Sequence, residues 1–147
     1  QDQNEYEALL HLRARQPDLA GAVTFLGHRE DVCAVYNACD VFALPSRREP
    51  FGRALVEAMA CGKPAVASAE GGPAEILTDG ESGLLVPPGD TVALATAIDR
   101  LRKDPALAGR LGARGCEHVR REYPESRTVA RVADLYRELV CADAHRR

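Results

Sequence analysis

The architecture is carried by Val41-Phe42-Ala43-Leu44-Pro45-Ser46-Arg47-Arg48-Glu49-Pro50-Phe51-Gly52-Arg53-Ala54-Leu55-Val56-Glu57-Ala58-Met59-Ala60-Cys61-Gly62-Lys63-Pro64-Ala65-Val66-Ala67. Residues 41–44 are a short apolar run that Pro45 stops, the pattern of a buried strand. Residues 53–61 have helical spacing. Gly62 follows as a left-handed cap and Pro64 lies just beyond, so the helix ends there. Residues 65–67 form a second apolar run. Strand, loop, helix, strand is the unit of a parallel α/β sheet, and ligands of such sheets bind at the carboxyl ends of the strands.

The same alternation extends to both sides. Val23-Thr24-Phe25-Leu26 reads as a strand ending at Gly27, and residues 31–38 as a short helix with Val32, Val35 and Tyr36 on one side. After Gly71-Gly72 a short helix is expected over residues 73–77, then a strand over 83–86 closed by Pro87-Pro88. Helices alone follow. One covers residues 91–102 with Val92, Leu94, Ala95, Ile98 and Leu101 on a wide apolar face, and another starts at Pro105 and runs towards Val119. Ser126 is placed to cap a last helix whose stripe is Val129, Val132, Ala133, Tyr136 and Leu139. At the other end, Tyr6, Leu9, Leu10 and Leu12 recur at helical spacing up to Pro17.

The chain has 147 residues, enough for one domain with a core but not for two full α/β domains. Its formal net charge of −3 gives no electrostatic reason to expect nucleic acid as a partner. The five cysteines, Cys33, Cys39, Cys61, Cys116 and Cys141, include no C-x-x-C pair and no histidine at metal spacing. An odd, irregular set argues against a disulfide framework and a zinc site, and for small buried or half-buried apolar residues in a reducing setting. No apolar run reaches 18 residues. The expected location is cytoplasmic, or the cytoplasmic face of a membrane reached through parts outside this sequence.

Three features of the loop over residues 45–52 have a chemical use. Gly52 admits backbone close to a ligand. The N–H groups from Phe51 to Ala54 belong to a helix N-terminus and suit an anion such as a phosphate. Glu49 and Glu57 supply acceptor oxygens for sugar and ribose hydroxyls, Glu57 lying about one turn (~5 Å) into the helix. Each feature alone is a solvated charge or an ordinary helix start. Together they describe a binder of anions and hydroxyls.

From Ser46 the sequence S-R-R-E-P-F-G-R-A-L-V-E-A-M-A-C-G-K-P-A-V-A-S resembles the E-x7-E motif of family 4 of the retaining glycosyltransferases, which have the GT-B fold. Val23 to Gly27, the run from Tyr36 to Pro45, Gly71-Gly72-Pro73-Ala74-Glu75-Ile76 and Gly83-Leu84-Leu85-Val86 fall at that family's spacing, so the resemblance covers residues 20–140. It implies a Rossmann-like parallel sheet with flanking helices, part of the C-terminal, donor-binding domain of such an enzyme. The implied activity is transfer of a sugar from a nucleotide-diphosphate donor with retention of configuration, in carbohydrate biosynthesis. Glu49 would contact hydroxyls of the transferred sugar and serve catalysis as a positioning carboxylate. Pro50, Phe51, Gly52, Arg53 and Ala54 would line the sugar and nearest phosphate, and Glu57 would hold the ribose. No cofactor or metal is expected. The acceptor, whether a sugar, a lipid-linked sugar or a small molecule, is left open.

Lesser candidates are His28 and Arg29, where the family meets the base, Arg47 and Arg48 beside the diphosphate, and Gly71-Gly72 as either donor contact or tight turn. His11, His118 and His145 receive no role. The resemblance also implies parts not found in these residues: an N-terminal acceptor domain, and two strands whose first loop carries an Arg and a Lys that grip the diphosphate. In the order 3-2-1-4-5-6 those strands would lie between the runs at Val23 and Val41. The expectation is a partial domain spanning residues 1–147, inactive by itself. Two rival readings are a nucleotide-sugar 2-epimerase on the GT-B architecture and a non-catalytic nucleotide-sugar-binding fragment.

Overall fold

A computed structural model describes residues 3–124 together with 126, 127, 134, 136 and 137. The chain divides into two compact units, Gln1–Asp31 and Val32–Arg147.

In the first unit, helix α1 (Gln3–Ala14) forms as its spacing predicts. Its apolar side chains Tyr6, Leu9, Leu10 and Leu12 are nevertheless exposed. The Arg13 guanidinium grips Asp18 through two hydrogen bonds of 2.9 and 2.7 Å beyond the helix end. His11 packs on Phe25 with ring centroids 3.9 Å apart. The strand expected over residues 23–26 is not formed. The reason is that a strand exists through its neighbours. This stretch has no ladder partner among the described residues, and Val23, Phe25 and Leu26 are exposed.

The second unit is an α/β layer structure. Its elements are α2 (Val32–Ala38), β1 (Phe42–Leu44), α3 (Arg53–Ala60), β2 (Ala65–Ser68), α4 (Gly72–Ile76), β3 (Leu84–Val86), α5 (Thr91–Lys103) and α6 (Pro105–Glu122). The three strands are parallel in the order β1-β2-β3. That is the order expected of the last three strands in the sequence 3-2-1-4-5-6. Register is set by Phe42 opposite Ala65, Leu44 opposite Ala67, Val66 opposite Leu84 and Ser68 opposite Val86.

Every residue of β2 is buried, which a central parallel strand covered on both faces requires. Alternation along it separates two cores. Ala65 and Ala67 join Leu55 and Met59 of α3, Ile76, Leu77 and Val119 on one face. Val66 joins Leu84, Val86, Leu101, Leu107 and Leu111 on the other. Helix α3 ends in the expected left-handed cap: Gly62 N–H donates to Met59 O (2.8 Å) and Lys63 N–H to Ala58 O (3.1 Å). This pair of bonds is a Schellman motif. Asp90 and Asp104 cap α5 and α6, each carboxylate accepting from the N–H three residues on at 2.9 Å.

Cys39, Cys61 and Cys116 are half-buried as expected, and burial pushes the Cys61 thiol above its ordinary pKa. Cys33 departs from the expectation and is exposed. The helix expected from Ser126 through Leu139 lies for the most part outside the described residues, as does Cys141. Among the described residues no helix is long and apolar enough to cross a membrane.

Candidate functional site

The loop between β1 and α3 leaves the carboxyl end of the sheet, where α/β proteins bind ligands. It ends at Gly52, whose φ of 98° and ψ of 47° place it in the left-handed region. That conformation turns the chain sharply into α3 and would strain any residue with a Cβ. Leu55 N–H and Val56 N–H both bond Gly52 O, at 2.9 and 3.1 Å. The N–H groups of Arg53 and Ala54 ahead of them are those a helix start leaves without intrahelical partners. No side chain caps them, and no acidic residue sits in the first turn. The helix therefore presents uncapped donors and the positive end of its dipole.

The loop is held from the side by the Gly71-Gly72 turn. Gly72 N–H donates to Glu49 O at 2.9 Å. A Cβ on Gly72 would stand 2.0 Å from Phe51 O, and one on Gly71 would stand 2.5 Å from Glu49 O. Two bare backbones are therefore packed against each other, and only glycine fits at either position. The pair read in the sequence as donor contact or tight turn has this third role, clamping the Glu49–Phe51 segment. Phe51 is about half exposed and meets Tyr123 edge-on, with centroids 5.9 Å apart. Burial, then the charge of Glu75, raises the Tyr123 phenol above its ordinary pKa.

Glu57 lies one turn into α3, within reach of two partners. The Tyr36 hydroxyl donates to Glu57 Oε2 at 3.0 Å, and Arg53 Nε lies 3.4 Å from Oε1. Burial and this bond to a carboxylate push the Tyr36 phenol up to about 12. Tyr36 stands on α2, edge-on to Phe42 of β1 at 5.8 Å. Sequence reading placed it among apolar residues and missed its bond. The only available signal was its hydroxyl, 21 positions from the carboxylate it serves.

The remaining candidates fall differently. Arg47 leans towards the loop after β3, where a Cβ on Gly89 would sit 3.6 Å from its Nε. With Pro45, Ser68, Val86, Asp90 and Leu94 it lines a cavity of about 290 Å³ to which none of residues 49–57 contributes. Arg29, in the first unit, is paired with Asp31 at 2.7 and 2.6 Å. Among the described residues no group of three or more His, Cys, Asp or Glu is arranged to hold a metal ion.

Comparison with known proteins agrees with this architecture. The family model described as glycosyl transferases group 1 matches residues 2–118. The chain is 42% identical over 114 residues to a D-inositol 3-phosphate glycosyltransferase of Stackebrandtia nassauensis, covering 76% of this chain and 26% of that protein. It is 38% identical over 118 residues to the lipopolysaccharide core biosynthesis glycosyltransferase LpsD of Rhizobium meliloti, covering 80% and 34%. Among solved structures, sucrose-phosphate synthase from Thermosynechococcus elongatus superposes with a TM-score of 0.89 at 39% identity, over 94% of this chain and 35% of that one. HepE of Anabaena, solved with UDP-glucose, superposes with a TM-score of 0.89 at 31% identity, over 92% and 38%. The chain thus spans between a quarter and two fifths of the length of these relatives. With a parallel sheet in the expected order and a family match over most of its length, the chain belongs to the group 1 glycosyltransferases of GT-B fold.

Proposed function

We propose that this chain forms the donor-binding wall of a glycosyltransferase that moves a sugar from a nucleoside diphosphate to an acceptor with retention of configuration. The observation that carries the reading is the uncapped start of α3, flanked by Glu49 on the clamped loop and Glu57 one turn inside the helix. In this reading the Arg53 and Ala54 N–H groups meet the phosphate nearest the sugar. Glu49 holds sugar hydroxyls, and Pro50, Phe51 and Gly52 shape the pocket around them. Glu57 accepts from the ribose hydroxyls. Catalysis is positioning of the donor plus stabilisation of the departing diphosphate. HepE, whose structures hold UDP and UDP-glucose, supports a nucleotide sugar as the ligand class.

The acceptor surface and the basic residues that grip the diphosphate belong, in this reading, to sequence outside these 147 residues. The protein acts in the cytoplasm or at the cytoplasmic face of a membrane, and no metal takes part. No observation favours the epimerase or the non-catalytic alternative.

The test is calorimetric titration of the chain with UDP, GDP and ADP and their sugars, beside a Glu57→Ala variant. One nucleotide is expected to bind. Removing a charged acceptor from hydroxyl donors costs roughly 1.5–3 kcal/mol, a loss of about tenfold or more in affinity. Equal binding by the variant refutes the assignment.

A further inference from the structure

Resting on the donor-site reading above, we infer that Tyr36 is the positioning residue for Glu57: its hydroxyl fixes the carboxylate so that the other oxygen, held only loosely by Arg53, faces a ribose diol. A glutamate has three rotatable bonds, and its carboxylate offers about four lone-pair positions. On a half-exposed helix face such a side chain loses much rotamer freedom when it binds a ligand. The bond from Tyr36 at 3.0 Å reduces that loss beforehand, because one oxygen is already placed in the free protein.

Tyr36 is fitted to this task and Arg53 is not. The phenol has two torsions. Its ring is set against Phe42 at an interplanar angle of 79°. Its helix is pinned next to it, where Lys63 Nζ donates to Asn37 O at 3.0 Å. The Arg53 side chain is 88% exposed and reaches Oε1 only at 3.4 Å, so its hold is loose and screened. Tyr36 occupies Oε2 as a neutral donor, so it brings no positive charge to compete with hydroxyls for the carboxylate. The hydroxyl stays protonated across the working pH range, its pKa being about 12.

A bond that merely ties α2 to α3 would act on all ligands alike, so the ligand itself separates the two roles. Wild type, Tyr36→Phe and Glu57→Ala are titrated with whichever of UDP, GDP and ADP binds, and with the 2′,3′-dideoxy form of the same nucleotide. Tyr36→Phe keeps the ring on Phe42, and circular dichroism checks its fold. The expected result is a loss of about fivefold to tenfold for the ribonucleotide with no change for the dideoxy form. Equal losses for both ligands, or no loss for either, overturn the positioning role. Should Glu57→Ala leave the preference for ribose intact, or none of the three nucleotides bind wild type, the donor-site reading falls and the role of Tyr36 with it. A ribose preference lost in Glu57→Ala but kept in Tyr36→Phe sinks only the inference about Tyr36.

Discussion

Gly72→Ala is the substitution whose consequence follows most directly from the geometry. The new Cβ would stand 2.0 Å from Phe51 O and 2.4 Å from both Phe51 C and Cα. All three are main-chain atoms, so no side chain can swing aside. Ordinary contact lies more than 1 Å further out, and the loop carrying Glu49 and Phe51 has to move by about that amount. Overpacking of this kind costs about 1–3 kcal/mol. The movement also breaks the 2.9 Å bond from Gly72 N–H to Glu49 O, adding about 1 kcal/mol. The total, about 2–4 kcal/mol, is a large part of the stability of a domain this size.

Urea denaturation followed by circular dichroism reads the change. With a slope of about 2 kcal/mol per molar, the midpoint drops by roughly 1–2 M. Gly109→Ala is the control within the same fold. It lies inside α6, and nothing beyond its own stretch of helix comes within 4 Å of its Cβ position, so alanine there raises stability by about 0.5–1 kcal/mol. If Gly72→Ala unfolds within about 0.5 kcal/mol of wild type, the loop is not clamped by this turn and the account of the site fails.

Two further outcomes are expected. The Tyr36 phenol titrates near 10 in the unfolded chain and near 12 in the folded one, so the folded state holds its proton more tightly. Its contribution to stability is complete below pH 10 and lost as pH rises to 12. Denaturation curves across that window should fall more steeply for wild type than for Tyr36→Phe, and parallel curves would contradict the bond to Glu57. Incubated with UDP-, GDP- and ADP-sugars and a panel of acceptors, the 147 residues alone should release no nucleoside diphosphate above background; turnover would show that acceptor and diphosphate sites are both already present.

Local signals in the sequence locate most elements of the second unit. Gly62 and Pro64 mark the end of α3 because a left-handed residue and a missing N–H can do nothing else there. The apolar runs at Phe42, Ala65 and Leu84 become strands because each finds a neighbour in register. Val23-Thr24-Phe25-Leu26 is likewise a short, mainly apolar run and forms no strand. Composition shows that a segment can be a strand, whereas pairing is a property of what lies beside it. The helical spacing of Tyr6, Leu9, Leu10 and Leu12 likewise gives a helix without telling whether its apolar side is covered.

The candidate site divides along the same line. That Glu49 lies in a loop, Gly52 at a helix start and Glu57 one turn inside the helix could be read from the sequence, while the donor roles proposed for them come from the family resemblance. What holds them was not legible, since both supports are contacts between distant segments. Glu49 is placed through its main chain, by an N–H from Gly72, and Glu57 through its side chain, by a hydroxyl from Tyr36. The two carboxylates of the proposed donor site therefore have separate mechanical supports, one from the turn after β2 and one from the helix before β1. Gly72→Ala should disturb the sugar side and leave preference for ribose in place, while Tyr36→Phe should do the reverse. If both variants lose sugar and ribose contacts together, the wall moves as one body and this division of labour is wrong.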